Sequence, residues 1–199
     1  MQDKYGVSDD PYCWPGSSTL RNALNIRDDA LLADAEAEFA AVALERIDIE
    51  APPFDLTYLC RLHRQLFGDL YDWAGEVRRV DIAKGTTRFC RADRIIPEAD
   101  TVMEALAGID IPREPWPRAL SRLAECFGEL NLIHPFRDGN GRSLRLFFEH
   151  LLISNGKAVD WAQIERPEWI DACIAAVTCN YAPIEQLLDR ATSPLDSER

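Results

Sequence analysis

From Asp29 onward the apolar residues recur at intervals of three and four, the period of a helix with one buried face. Leu32, Ala35, Phe39 and Val42 mark such a face over residues 29–47, with Asp28 placed to cap it and Glu36, Glu38 and Glu45 on the polar side. Ala51-Pro52-Pro53 stops the run. A second helix is expected over residues 56–68, with Leu59, Leu62, Leu66 and Phe67 inward. Further helices are expected over 97–107, 117–132, 141–154, 167–177 and 183–191, the last two opened by Pro167 and Pro183. Before Asp28 the chain is rich in turn signals, Asp10-Pro11 and Trp14-Pro15-Gly16 among them, and a short helix is expected over 19–25. Residues after Thr192 read as a frayed tail.

Between Gly75 and Cys90 the pattern changes. Val80, Ile82 and Phe89 flank Lys84-Gly85-Thr86-Thr87, which predicts two short strands around a turn. The fold class that follows is all-α with one short β-hairpin. No linker and no internal repeat interrupts the pattern, so a single domain over residues 1–199 is expected, its core at about residues 10–190.

Composition adds limits to this picture. A chain of 199 residues, 47% hydrophobic and 28% charged, has the material for one proper core. Its 22 basic and 34 acidic residues leave a net charge of −12, which argues against a general binder of nucleic acid but not against a small cationic pocket for one nucleotide. The hairpin departs from that balance, with Arg78, Arg79, Lys84, Arg88, Arg91 and Arg94 against Asp81 and Asp93. The opening MQDKYGVSDD has no basic segment followed by an apolar one, and no apolar stretch is long enough to span a bilayer, so a cytoplasmic chain without a signal peptide is expected. The six scattered cysteines, with no C-x-x-C pair, are read as reduced thiols rather than a disulfide framework or a zinc site.

The chemistry concentrates in His134-Pro135-Phe136-Arg137-Asp138-Gly139-Asn140-Gly141-Arg142-Ser143-Leu144-Arg145. Gly139 and Gly141 let the backbone turn successive N–H groups into one hollow at the start of a helix, an anion nest. Leu144, Phe147, Phe148, Leu151 and Leu152 give that helix an apolar face to hold it against the core. Arg142 and Arg145 lie in its first turn, where a cation opposes the helix dipole by ~0.3–1 kcal/mol. An anion between them resolves the conflict, and polyphosphate suits the planar guanidinium forks. Asp138 offers a hard oxygen for Mg²⁺. Pro135 biases His134 towards an extended loop conformation, where its imidazole is placed to take a proton from a hydroxyl attacking a bound phosphate. Arg145 pairing with Glu149, and His134 as a satisfied loop residue, are the bland alternatives; the first leaves the glycines unexplained. His63 and His150 are read as surface or core-edge residues, Glu149 as structural, and Asn180-Tyr181 as a helix end rather than an adenine contact.

This segment matches H-x-F-x-[DE]-G-N-G-R-x-x-R at every specified position, and through it the chain resembles the Fic-domain family. The similarity extends to Trp73-Ala74-Gly75, Val77-Arg78 and Lys84 to Phe89, which look like the approach to the Fic flap, and to Tyr12 to Gly16 with Leu20-Arg21-Asn22. The resemblance implies a protein adenylyltransferase that uses ATP with Mg²⁺. By matching position it assigns the general base to His134, the structural anchor to Phe136 and the metal ligand to Asp138. Gly139, Asn140 and Gly141 would hold the α- and β-phosphates, Arg142 and Arg145 the outer ones. Lys84, Gly85, Thr86 and Thr87 of the flap would dock the target protein by backbone pairing.

The Gly-Asn-Gly-Arg centre is the AMP-transferring pattern and differs from the Asn-Lys-Arg form of the kinase-like Doc branch. Transfer of UMP or phosphocholine stays open, as does a nucleotide-binding module with little turnover. The family's inhibitory sequence, [ST]-x-x-x-E-[GN], finds no match in the chain. The resemblance therefore implies a toxin silenced by a separate small antitoxin whose Glu meets Arg145. The targets it implies are the ATPase subunits of DNA gyrase and topoisomerase IV.

Overall fold

The computed structural model describes residues 10–195. The opening segment read as lacking a signal peptide, and residues 196–199 of the expected tail, lie outside the described residues. Among the described residues no helix is long and apolar enough to cross a membrane.

Helix α1 (Asp29–Leu44) begins where Asp28 accepts a hydrogen bond from the Leu31 amide at 2.9 Å, the expected cap. It ends three residues short of Ile47, where the Arg46 and Ile47 amides turn back onto the Ala43 and Leu44 carbonyls. Its buried residues are Leu32 and Ala40, while Val42, expected inward, is exposed. The helix is rotated so that Glu36 faces the protein, because Tyr71 and Arg142 both donate to its carboxylate. Helix α2 (Leu56–Phe67), capped by Asp55, buries Leu59, Leu62, Leu66 and Phe67 as the spacing predicts, together with Tyr58 and His63.

The short helix expected over 19–25 does not form. Cys13 pairs with Leu20 across a β-bridge, and the Asn22 side chain takes the Ile26 amide at 3.0 Å and gives to the Ile26 carbonyl at 2.7 Å. A side chain that satisfies the backbone in this way competes with helix formation.

The hairpin is present and tight. Strand β1 (Ala83–Lys84) runs antiparallel to β2 (Thr87–Arg88), with Lys84 opposite Thr87. Its two-residue turn starts at Gly85, whose φ of 60° favours glycine. Helices α3 (Ile95–Ala107), α4 (Trp116–Ile133), α5 (Asn140–Ser154), α6 (Arg166–Ala176) and α7 (Ala182–Ala191) follow within one to two residues of their expected starts. Helix α4 lies at the centre, packed on α3, α5, α6 and α7, and α5 also packs on α2. Phe127, Phe136, Phe147 and Phe148 are fully buried along these contacts, each contributing about 1.5–3 kcal/mol of transfer free energy. Residues 192–194, expected to fray, form a strand: β4 (Thr192–Pro194) pairs with β3 (Lys157–Val159). The six cysteines are all free thiols.

Candidate active site

The loop between α4 and α5 carries the motif, and its first residue closes α4. His134 has φ 50° and ψ 63°, left-handed rather than extended, and its amide bonds to the Leu130 carbonyl. The following proline bars the right-handed helical region; the left-handed one satisfies that restriction and caps the helix as well. Imidazole Nδ1 lies 2.9 Å from the Asn131 carbonyl. A carbonyl only accepts, so Nδ1 carries the proton and the neutral ring has its lone pair on Nε2. The ring stacks on Phe89 with centroids 3.9 Å apart. Burial lowers the His134 pKa to about 4, and the charges of Asp138 and Lys84 both reach it.

Phe136 is buried, its ring 3.9 Å from the His63 ring. The Asn140 side chain closes the loop, accepting from the Phe136 amide at 2.8 Å and donating to the Phe136 carbonyl at 2.8 Å. With its side chain so engaged, Asn140 offers an anion its backbone N–H.

The two glycines serve different needs. Gly139 has φ 76°, and a Cβ there would lie 2.5 Å from Phe67. At Gly141 an added Cβ would meet nothing closer than the Arg145 guanidinium at 3.8 Å, so open space lies above the first turn of α5. The half-buried Asp138 accepts from the Gly139 amide at 2.7 Å. No group of three or more metal-ligating side chains occurs among the described residues. A single carboxylate beside an open helix N-terminus fits Mg²⁺, which takes one or two protein carboxylates and completes its shell with phosphate and water.

Arg142 pairs with Glu36 and lies over the Phe67 ring at 4.6 Å. Arg145 flanks a cavity of about 320 Å³ with Trp161, Ile164, Arg166 and Trp169, and burial lowers its pKa. Glu149 accepts from the Trp161 indole at 3.0 Å. Tyr181 stands at the N-cap position of α7 without a side-chain cap bond, and its hydroxyl donates to Glu129. In the flap Lys84, Gly85 and Thr86 are exposed and Thr87 is half-buried.

Four residues named in the sequence have partners at the site that the sequence alone does not show. Arg137 is buried in an ion pair with Asp10 at 2.5 Å, which ties the N-terminal segment to the motif. Glu36 reaches the site from α1. Arg78, one of the six basic residues of the hairpin segment, is only 1% exposed. His63 is fully buried: Gly75 N–H donates to Nδ1 at 2.9 Å, so Nε2 carries the proton and donates to the Asp138 carbonyl at 2.9 Å. His150 is likewise buried, 2.6 Å from the Tyr58 hydroxyl. The signal for Arg78 is its place in Val77-Arg78 of the resemblance, and the sequence carries none for His63.

Set against known proteins, residues 53–152 match the family described as Fic/DOC. The chain is 35% identical over 197 residues to the probable protein adenylyltransferase Fic of Salmonella typhimurium, covering 97% of each. It is 37% identical over 196 residues to protein adenylyltransferase VbhT of Bartonella schoenbuchensis, covering 94% of this chain and 40% of that one. Among solved structures it is similar to the BepC protein of Bartonella tribocorum with bound AMPPNP, with a TM-score of 0.84, 27% identity and coverage of 93% and 97%.

Proposed function

Because the chain belongs to the Fic/DOC family and is a protein adenylyltransferase, we propose that His134 is the base that passes AMP from ATP to a hydroxyl of a second protein. The observation that carries this is the bond from Nδ1 to the Asn131 carbonyl, which leaves the Nε2 lone pair as the proton acceptor.

The first N–H groups of a helix have no intrahelical partner, so those of Asn140 and Gly141, with that of Arg142 beside them, are donors for the α- and β-phosphates, while the Gly139 amide, expected to share that role, is bonded to the Asp138 carboxylate. Arg142 and Arg145 hold the outer phosphates. Asp138 would hold Mg²⁺, which when bound supplies positive charge to the phosphate oxygens. A strand of the target pairs with the exposed flap edge at Lys84 to Thr87 and brings its hydroxyl to the α-phosphorus. The hydroxyl oxygen bonds that phosphorus, the bond from phosphorus to the α–β bridging oxygen breaks, and pyrophosphate leaves. The hydroxyl proton goes to His134 Nε2. Positioning and charge stabilisation do most of the work.

The same reading makes the chain a cytoplasmic toxin. The missing inhibitory sequence calls for a separate small antitoxin that sets a Glu against Arg145, and the ATPase subunits of gyrase and topoisomerase IV are the expected targets. The test is incubation with Mg²⁺, a bacterial extract and ATP labelled at the α-phosphate. Label on a host protein, lost with His134→Ala and absent with γ-labelled ATP, is expected. Tight ATP binding with no label transferred overturns the reading. Mass spectrometry of the labelled band gives the target and residue, and co-expression of neighbouring small open reading frames tests the antitoxin.

A further inference from the structure

Arg78 is one of the largest fully buried side chains, and it is satisfied by carbonyls. Its Nε donates to the His134 carbonyl at 2.9 Å, one terminal nitrogen to Val80 O at 2.6 Å, and the other to Cys90 O at 2.5 Å and Ile133 O at 3.2 Å. Its own amide donates to Pro135 O at 2.8 Å. Val80 and Cys90 are the two roots of the flap, on either side of β1 and β2. Ile133 and His134 are the end of α4 and the base itself. One planar side chain thus joins both legs of the hairpin to the backbone of the proposed base.

The bond pattern needs arginine. A guanidinium presents its donors in a fixed fork that reaches carbonyls on several sides, whereas an ammonium offers three donors from a single point. A buried cation without satisfied donors is costly, so the four carbonyls and the guanidinium specify one another's positions. The contacts around it act in the same sense: Cys90 N–H donates to Leu132 O at 3.1 Å, and Phe89, between the flap and that bond, stacks on the His134 ring.

We propose that Arg78 is a positioning residue for the transfer reaction, fixing the flap, and so the docked target hydroxyl, relative to His134. This rests on the AMP-transfer reading. A target strand paired with β1 or β2 has its hydroxyl set by the flap. The flap is set by Val80 and Cys90, and those two are set against His134 through Arg78. A displacement of about 1 Å at the reacting atoms costs on the order of 100-fold in rate.

The experiment compares the full chain with Arg78→Lys and Arg78→Met. Three quantities are read: hydrogen exchange at the Phe89 and Cys90 amides, affinity for magnesium AMPPNP by calorimetry, and transfer of α-phosphate label to protein in bacterial extract. For Arg78→Lys the flap amides are expected to exchange about tenfold faster or more while amides within α5 keep their protection. AMPPNP affinity stays within about twofold and label transfer falls by about 100-fold. Label transfer at the wild-type rate, unchanged flap exchange, or a loss of nucleotide affinity as large as the loss of rate each overturns the proposal. If Arg78→Met does not fold, Arg78→Lys decides. If neither folds, the wild-type chain does: its Phe89 and Cys90 amides must open with the core, and independent fraying overturns the coupling. A wild-type chain that labels nothing refutes AMP transfer itself, and the exchange data still decide whether Arg78 fixes the flap.

Discussion

Glu36 of α1 and Arg142 of α5 form an ion pair that joins the first helix of the fold to the proposed phosphate site. The other oxygen of Glu36 accepts from the Tyr71 hydroxyl at 2.5 Å, and Phe67 lies under the guanidinium. Arg142 is therefore held on its face and at one edge, with the rest of its donors left for a ligand. Glu36→Ala should raise the KM for ATP about tenfold, about 1.4 kcal/mol, with a smaller effect from Glu36→Gln. Steady-state label transfer against ATP concentration measures it. A lower KM in Glu36→Ala contradicts this and makes Glu36 a competitor of phosphate.

The two glycines of the motif should part company on substitution. Gly139→Ala places a Cβ 2.5 Å from Phe67 at a φ of 76°, and should destabilise the fold by about 2–4 kcal/mol in thermal or urea unfolding. Gly141→Ala meets only open space, so its stability should hold or rise by about 0.5–1 kcal/mol. Its ATP affinity should fall at least about tenfold, because the methyl group occupies the place of a phosphate. Equal loss of stability in the two variants would refute the distinction.

His63→Ala leaves the Asp138 carbonyl and the Gly75 amide without their partner, and removes a ring packed on Phe136 and Phe67. A loss of about 2–4 kcal/mol is expected from those two causes. Denaturant unfolding checks it, and a change within about 0.5 kcal/mol means the imidazole contributes nothing to the loop.

The pH profile follows from the burial of His134. Its pKa is lowered to about 4, so the ring stays neutral, and competent as a base, well below the ordinary histidine range near 6.5. The kcat/KM for label transfer should be flat through pH 6.5 and fall only as pH approaches about 4, since that ratio reports the free enzyme. Half of the activity lost near pH 6.5 would show an imidazole in ordinary contact with water.

Helices α2 and α5 were legible because each carries an apolar stripe, that of α5 beginning at the motif, and α6 and α7 because a proline opens each. What the sequence concealed is of another kind. Glu36 sits on a face any periodic reading leaves to solvent, and only Tyr71 and Arg142, brought close by the fold, turn it inward. Arg78 is one base among six in the hairpin segment by sequence, and charge alone does not reveal the carbonyls that surround it. The bridge of Cys13 with Leu20 and the pairing of β3 with β4 involve too few residues for a period of two to show. The motif itself named the residues of the proposed site, but not that Asn140 uses its side chain on Phe136, nor that His134 is left-handed.

A crystal structure with magnesium and a non-hydrolysable ATP analogue decides whether a triphosphate lodges at the start of α5 within reach of His134. Phosphate oxygens are expected at about 2.7–3.2 Å from the Gly141 and Arg142 amides, with His134 Nε2 facing the α-phosphorus on the side opposite the bridging oxygen. Phosphates bound away from the start of α5, or Nε2 turned from the α-phosphorus, would contradict it.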